Sequence, residues 1–360
     1  MESRAMRLAL VAGALSLAVI GSAATAAPGG AATTGVAEPT YPPAPITTNT
    51  PPGTENDFDV TYNVCRGTDP RCYHPWFDPN RPDKVLLYTR TSGPRHANLG
   101  PALLPGLDPP LTAANIAQNA IIKWMGEVGV AVDWTEDVEA FGSALAGLGT
   151  PANSTYKAVI FISTNRDALW KHGTAIDPTQ AKNTSTNAFL DHGKMSLREF
   201  LRAGGGFVGI HNAFGTESNW PYYEGLLGNA NYYSHGPFQT GTVDVVAGDS
   251  STDGLPEAWG FKDEWYNLLP FPTNVKFLLT VDESTLPAGA ANVHPGHGAF
   301  HPVAWCQYYD GGRAWVTTLG HDSGAFTDGS DFPGQPQFKQ LVVNGILSAM
   351  GKLPFCSTSN

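Results

Sequence analysis

A histidine ends a short apolar run in the middle of the chain. The segment AGGGFVGIHNAFGTE passes from glycines into residues 207–210, and the run stops at His211. In many α/β enzymes the residue at such a strand-to-loop break is a serine or cysteine nucleophile. An imidazole titrates near neutrality, so it can take or give a proton without an unusual pKa shift. His211 is therefore predicted to act as a general base or acid.

Polar residues follow several other short apolar runs in the same way. In an open parallel sheet, ligands bind beyond the carboxyl ends of the strands, so these residues are expected to converge on one rim. His96 or His321 would supply the complementary proton transfer or bind an oxyanion, and Glu217 would orient a histidine or hold hydroxyl groups of the ligand. The predicted rim contains His96, Asn165, His211, Asn212, Glu217 and His321.

Two adjacent carboxylates stand between aromatic residues in DEWY, which begins at Asp263. Asp263 is predicted to orient a histidine, whereas Glu264 could bind substrate; both could instead cap a turn or pair with a cation. Side chains of neighbouring strand residues point to opposite faces, so this pair does not fit the two-carboxylate pattern of glycosidases. The predicted substrate-binding residues are Asn165, Asn212, Trp220, Glu264, Trp265 and Tyr266.

Acid/base chemistry of this kind requires no cofactor, but histidine spacing leaves room for a divalent metal. The segment HPGHGAFHP contains His294, His297 and His301 with H-x-x-H spacing. Its glycines and prolines indicate a loop, whereas a metal site needs fixed ligands. A metal could instead be held by the rim histidines at 96, 211 and 321.

The elements that would position the rim alternate between strands and helices in the first half of the chain. This alternation predicts a parallel sheet covered by helices. The run at 156–164 does not alternate, so it is expected to be buried on both faces. The second half is strand-rich, and Asp310-Gly311-Gly312 favours a hairpin. Strands are predicted at 84–89, 130–136, 156–164, 206–211, 242–246, 276–283, 301–309 and 312–320, and helices at 112–128, 137–145, 194–205 and 336–351.

Composition limits the classes of partner. The 360 residues are 42% hydrophobic and 15% charged, which allows one large core. The net charge is −11 and the 21 Lys and Arg residues form no run, which argues against nucleic-acid and anionic-membrane binding. The motifs of serine esterases, dinucleotide-binding folds and P-loop proteins do not occur. A neutral or polar ligand fits better as the partner, and the family resemblance given below implies that it is a small saccharide or glycoside.

The N-terminal region is typical of export. Residues 1–27 resemble a signal peptide, although a membrane anchor is the alternative, and residues 28–56 form a Pro/Thr-rich linker predicted to be disordered. No later segment is apolar enough to span a membrane. The protein is thus expected to be secreted or extracytoplasmic; the sequence carries no signal for its oligomeric state.

Four cysteines fit such an oxidising location. Cys65 and Cys72 suggest a local disulfide in an N-terminal extension over 57–83, and Cys306 could pair with Cys356 near the tail at 353–360. This is the favoured one of three pairings. No CxxC spacing occurs, so zinc binding by cysteine is disfavoured.

Five segments in order resemble the ThuA-like (trehalose utilisation) family: KVLLYTRTSGPRH, WTEDVEAF, FLRAGGGFVGIHNAFGTESNWPYYEGLLG, DEWYNL with LLTVDEST, and HPVAWCQYYDGGRAWVTTLGHD. They place a ThuA-like domain at 84–352. The resemblance implies a flavodoxin-like fold of the class I glutamine amidotransferase type, a doubly wound and mostly parallel α/β sheet with an added C-terminal β-hairpin. It also implies a link to catabolism of trehalose and related, often 3-oxidised, glycosides.

On that pattern, His211 occupies the position of the amidotransferase nucleophile. Cys306 lies inside a predicted strand and cannot replace it, so glutaminase activity is not expected. The export signal argues for an external or envelope saccharide. The leading hypothesis is hydrolysis, elimination or isomerisation of a glycoside or keto-glycoside by histidine acid/base chemistry. The alternatives are a non-catalytic carbohydrate-binding protein and a metal-dependent hydrolase that uses the rim histidines.

Overall fold

The computed structural model describes residues 58–59, 62–146, 154–170, 192–288 and 293–357. The predicted signal peptide and linker lie outside these residues. So does most of the predicted insertion at 165–192, of which only the two ends are described.

The described chain forms an α/β fold around one large sheet. Its strands are β1 (Phe58–Asp59), β2 (Val64–Gly67), β3 (Lys84–Tyr88), β4 (Ala131–Thr135), β5 (Ala158–Ile162), β6 (Gly206–Ile210), β7 (Tyr232–Val245), β8 (Ala258–Leu268), β9 (Lys276–Asp282), β10 (His301–Tyr309) and β11 (Gly312–Thr317). Its α-helices are α1 (Ile116–Glu127), α2 (Val138–Ala146), α3 (His192–Arg202), α4 (Pro221–Leu226) and α5 (Gln335–Ala349).

The sheet is mixed, which corrects the expectation of a mostly parallel one. Its order is β4-β3-β5-β6-β11-β10-β9-β7-β8, with β2 on β10 and β1 on β2. Strands β4, β3, β5, β6 and β11 run parallel, whereas every other pairing is antiparallel. The β10–β11 pair must be antiparallel because only Asp310-Gly311 separates the two strands, whereas parallel neighbours need a long crossover.

Apolar side chains of the central strands point alternately to two buried layers. Val85 and Leu87 pack with α1 and α5, whereas Leu86 and Tyr88 pack with α2, α3 and α4. Every residue of β5 is buried, as its unalternating sequence predicts. The parallel strands therefore form a rigid base whose carboxyl ends share one edge.

Two long strands, β7 and β8, are largely absent from the sequence prediction, which recognised only 242–246. Gly236 and Pro237 interrupt the pairing of β7 with β8. His235 pairs with Tyr266 and Phe238 pairs with Glu264, so two residues of β7 face one residue of β8 between these pairs. Such a bulge re-aims neighbouring side chains. Although β8 ends the strand order, its residues contact His211 after β6, so this part of the sheet curves over the carboxyl edge.

Both predicted disulfides are present, Cys65–Cys72 and Cys306–Cys356. The first fixes β2, which pairs with β10, and the second ties the chain end at Cys356 to β10 itself. Within the described ranges, no helix has the length and apolar character needed to cross a membrane.

Candidate active site

His211 lies directly after β6 in an unusual backbone conformation. Its φ is +54°, in the left-handed region that non-glycine residues rarely adopt, and a 3-10 helix, His211–Gly215, begins there. Such a conformation costs on the order of 1–3 kcal/mol and is concentrated at functional sites. The side chain is fully buried, at 0% exposure. The turn thus directs the imidazole away from the strand and into the carboxyl edge of the sheet.

One hydrogen bond fixes the tautomer of His211. Nδ1 lies 2.9 Å from the backbone oxygen of Thr318, which follows β11. A carbonyl oxygen can only accept, so Nδ1 carries the proton and Nε2 has a free lone pair. The Tyr266 hydroxyl donates to this nitrogen at 2.8 Å, and His96 Nε2 lies 3.2 Å from it. The reactive nitrogen of His211 therefore faces a group of polar side chains.

Burial keeps the two inner histidines neutral. It lowers the pKa of His211 well below its usual value, and the neighbouring His96 and His321 charges reinforce this effect. Burial also lowers the pKa of His96 to about 4, with a smaller contribution from His321. Both imidazoles thus present lone pairs rather than charge at neutral pH.

Glu264 and His321 form the more open part of the group. His321 Nδ1 lies 3.1 Å from Glu264 Oε2, but it makes no aligned hydrogen bond. Burial alone would lower the pKa of His321, yet the carboxylate of Glu264 outweighs burial and raises it. Burial conversely favours the neutral form of Glu264, but His321 and the other nearby histidines hold its pKa below the usual value. His321 is 29% exposed and His235, whose Nε2 is 3.7 Å from Glu264, is 32% exposed.

The segment that carries His321 is held from two sides. Gly320 has a φ of +119°, and a Cβ at this position would meet Ile210 and Phe338 at 3.1 Å. The Gly320 N–H donates to Asp263 Oδ2 at 2.7 Å, and Asn98 Nδ2 donates to the Gly320 carbonyl at 3.0 Å. These contacts place His321 next to His211, with ring centroids 5.3 Å apart.

The structure brings together three residues of the predicted rim and three residues of the DEWY segment. Asp263 and Glu264 approach different nitrogens of His211, each at 3.9 Å. Asp263 is buried and accepts two backbone N–H groups, whereas Glu264 reaches the opening. The predicted residues that meet in this cluster are His96, His211, Asp263, Glu264, Tyr266 and His321.

Glu217 lies elsewhere, although it follows the same strand as His211. Its backbone φ is +50°, and its side chain pairs with Lys194 at 2.7 Å and accepts from the Leu169 N–H at 2.7 Å. Burial raises the pKa of Glu217 to about 7, against the opposing charge of Lys194. Trp220 packs beside this pair, with its ring 5.3 Å from the ammonium. The structure thus gives both residues partners outside the cluster.

The remaining predicted substrate-binding residues also have other partners. The Asn165 side chain accepts from the Ser92 N–H at 3.1 Å and donates to the Pro94 carbonyl, so it ties two loops together. Trp265 is 1% exposed and donates to the Gln239 carbonyl. Asn212 is half-buried at the start of the 3-10 helix.

The H-x-x-H loop does not assemble a metal site. His301 contacts Glu283 through Nδ1 at 2.6 Å and donates to the Tyr266 carbonyl from Nε2 at 2.9 Å. His297 Nε2 accepts from the Leu268 N–H at 2.9 Å. These nitrogens are occupied in holding β8. Among the described residues, the group with metal-ligand spacing is His96, His211, Glu264 and His321, whose ligand atoms all lie within 4.8 Å of one another.

The sequence did not predict the contributions of His235 and of the Thr318 carbonyl. His235 stands on β7 immediately before Gly236 and Pro237, and its ring lies 6.1 Å from that of Tyr266. The Gly-Pro pair inside a strand-like segment is the signal that could have indicated a bulge and a re-aimed side chain. A backbone acceptor leaves no such signal.

Comparison with known proteins agrees with this architecture. A family model described as ThuA, trehalose utilisation, matches residues 84–349. A solved ThuA-like protein from Parabacteroides merdae is 18% identical with a TM-score of 0.50, over 76% of this chain and 92% of that one. Another from Bacteroides uniformis is 20% identical with a TM-score of 0.49, over 76% and 93%. No curated protein matches significantly. Since the family match covers most of the sequence, this chain belongs to the ThuA, trehalose utilisation, family.

Proposed function

We propose that this protein is an exported enzyme that acts on a glycoside or its keto derivative by hydrolysis, elimination or isomerisation. Membership of a trehalose utilisation family supports a carbohydrate as the substrate. The two disulfides are consistent with an extracytoplasmic location. In the parallel part, the strands are ordered second, first, third, fourth, fifth along the sheet. This order supports a flavodoxin-like arrangement, in which ligands bind at the carboxyl ends of the strands.

One observation carries the proposal. A buried, neutral imidazole, His211, donates its Nδ1 proton to the Thr318 carbonyl, and its Nε2 lone pair faces a group of polar side chains of which His321 and Glu264 are 29% and 17% exposed. Burying a histidine in a strained backbone conformation has a free-energy cost, and residues with such strain are concentrated at functional sites. A lone pair in this position can react with a ligand that enters from the side of His235 and His321.

The chemistry that suits this arrangement is proton transfer next to a sugar carbonyl. In a metal-free arrangement, His211 Nε2 would take the C–H proton, and the Tyr266 hydroxyl would donate to the enolate oxygen. His321, whose pKa is raised beside Glu264, would give a proton to the glycosidic oxygen as the enolate expels it, and the outcome is elimination. For isomerisation, the enolate oxygen would take the proton of the hydroxyl on the carbon that lost its C–H proton, and His321 would protonate the former carbonyl carbon.

A second arrangement is favoured by the ligand spacing of the cluster. Three imidazoles and a carboxylate within 4.8 Å could hold a divalent ion that polarises the same carbonyl or activates water. Both arrangements use the Nε2 lone pair of His211, so they exclude one another in a single state of the site.

A product screen tests the proposal. Wild type and His211→Ala would be incubated with disaccharides and their 3-keto forms, with and without chelator, and products identified by mass spectrometry. We expect a product from wild type that the variant does not form. His294→Ala is the matched control, because His294 lies in the separate loop and should retain activity. If a folded wild type binds sugars but converts none of them, the protein is a carbohydrate-binding protein and the proposal is wrong.

A further inference from the structure

Two polar atoms lie within hydrogen-bond distance of His211 Nε2, but its single lone pair can accept only one well-aligned hydrogen bond. It receives the Tyr266 hydroxyl at 2.8 Å, and His96 Nε2 lies 3.2 Å away. One lone pair accepts one well-aligned hydrogen bond, so His96 either shares it poorly or faces it with a second lone pair. The other nitrogen of His96, Nδ1, is buried and has no hydrogen-bond partner among the residues that the structure describes. The contact between the two imidazoles therefore leaves the hydrogen-bonding capacity of His96 largely unused.

The distances in the cluster fit shared coordination better than mutual hydrogen bonding. Ligands bound at about 2.1 Å to one ion lie about 3.0 Å apart at right angles, about 3.4 Å apart in a tetrahedron and about 4.2 Å apart when opposite. The observed separations are 3.2 Å for His96 with His211, 3.1 Å for His321 with Glu264 and 3.9 Å for His211 with Glu264. All four ligand atoms lie within 4.8 Å of one another, so a pair at that limit would have to move inward by about 0.6 Å to share one ion.

We propose that His96, His211, His321 and Glu264 bind one first-row transition-metal dication. Imidazole nitrogens with one carboxylate are the ligand set preferred by Zn²⁺ and Fe²⁺ rather than by Ca²⁺ or Mg²⁺. The inference rests on the proposed function only in that it assigns a cofactor to the same site.

The surroundings of the cluster match those of a metal ligand in two respects. A ligating histidine almost always donates its other ring N–H to a carboxylate or a backbone carbonyl, which is the contact between His211 Nδ1 and Thr318. The segment of His321 is also anchored, since Asn98 holds the Gly320 and His321 carbonyls at 3.0 and 3.1 Å. Preorganised ligands of this kind lower the entropic cost of binding an ion.

The metal would leave one side of the site available to substrate. His211 is at the closed base with 0% exposure, whereas Glu264, His321 and His235 are 17%, 29% and 32% exposed. A bound ion would occupy the His211 lone pair and would free the Tyr266 hydroxyl to donate to an oxygen of the substrate. Proton transfer would then fall to the buried Tyr266 and to His235 at the more exposed side of the cluster.

Metal binding can be measured without an activity assay. The full chain, treated with chelator and dialysed, would be titrated with Zn²⁺ by calorimetry, and Co²⁺ would be used as a spectroscopic probe of ligand number. We expect one ion per chain. We also expect at least about 100-fold weaker binding in His96→Ala and in Glu264→Gln, since loss of an outer partner alone costs about 10–100-fold. Both side chains are partly exposed, so these variants should fold.

His294→Ala is again the control, since it tests the H-x-x-H loop as the alternative metal site. Equal Zn²⁺ affinity in wild type and both cluster variants would show an adventitious surface ion and overturn the inference. Loss of binding in His294→Ala alone would also overturn it. Zn²⁺ binding at the cluster without any sugar product would support the metal site and contradict the proposed function. Turnover that resists chelator would support the proposed function and contradict the metal site.

Discussion

Asp263 offers a sharp test of how the cluster is positioned. Its side chain is 1% exposed, its Oδ1 accepts from the Glu264 N–H at 2.8 Å, and its Oδ2 accepts from the Gly320 N–H at 2.7 Å. Asp263 thus fixes the backbone of Glu264 itself and of Gly320, the residue before His321. The substitution Asp263→Asn keeps the shape but replaces one acceptor oxygen with a donor.

The cost of Asp263→Asn follows from these two contacts. One of the two buried N–H groups must lose its acceptor, and an unsatisfied buried donor costs about 1–3 kcal/mol. We expect the free energy of unfolding at about pH 6 to fall by about that amount. Burial raises the pKa of Asp263 to about 7, against the two N–H donors that lower it. Above this pH the ionised carboxylate itself lowers the stability of the wild type, because the folded state binds the proton more tightly than the unfolded chain, so the two proteins are compared below it.

Asp249→Asn provides a matched control, because the side chain of Asp249 contacts Ser251 and Lys276 and neither residue belongs to the cluster. Asp249 is also 1% exposed and accepts from the Ser251 N–H at 3.0 Å and from Lys276 at 3.2 Å. Both variants should lose similar stability in denaturant titrations with chelator present. Only Asp263→Asn should weaken Zn²⁺ binding, by about 10–100-fold, the usual effect of losing an outer partner. If both variants bind Zn²⁺ like wild type, Asp263 does not position the site.

Three further predictions concern other contacts. Tyr266→Phe should retain Zn²⁺ binding but slow product formation by at least about 100-fold in steady-state assays, the usual contribution of one proton-transfer group; unchanged turnover would contradict it. The double variant Lys194→Met/Glu217→Gln should keep wild-type Zn²⁺ affinity and turnover, because this ion pair lies outside the cluster; loss of either would return Glu217 to the site. Burial opposes ionisation of Asp328, but Lys123, Trp124 and Lys339 lower its pKa to about 2. The folded state thus binds this proton less tightly than the unfolded chain, so stability is lost as pH falls from about 4 toward 2. Denaturation across this range should show a smaller loss in Asp328→Asn, and an equal loss would refute it.

Parallel-strand logic explains why part of the cluster could be predicted. His96, His211 and His321 each follow a parallel strand, and the carboxyl ends of such strands meet at one edge. The same reasoning places Glu217 in the cluster, but Glu217 itself has a positive φ and its side chain pairs with Lys194 instead. Position after a strand therefore predicts which edge a residue occupies but not where its side chain points.

The contribution of β8 could not be read from strand order. Glu264 and Tyr266 reach His211 only because the antiparallel strands curve back over the parallel edge and a bulge on β7 adjusts the register. Pairing between distant segments depends on tertiary packing rather than on local pattern. Aromatic residues such as Trp265 were assigned to substrate, yet burial in the core accounts for them as well.

The imidazole nitrogens of His211 give the most direct test of the account. Long-range ¹H–¹⁵N correlation spectra of histidine-labelled protein, assigned with His96→Ala and His321→Ala, would report the protonation of each ring nitrogen before and after Zn²⁺ is added. We predict a neutral His211 with its proton on Nδ1 at neutral pH, and a Zn²⁺-dependent change of the Nε2 shift in His96 and His211. A proton on Nε2, or spectra that Zn²⁺ leaves unchanged, would contradict the assignment of this lone pair as the centre of the site.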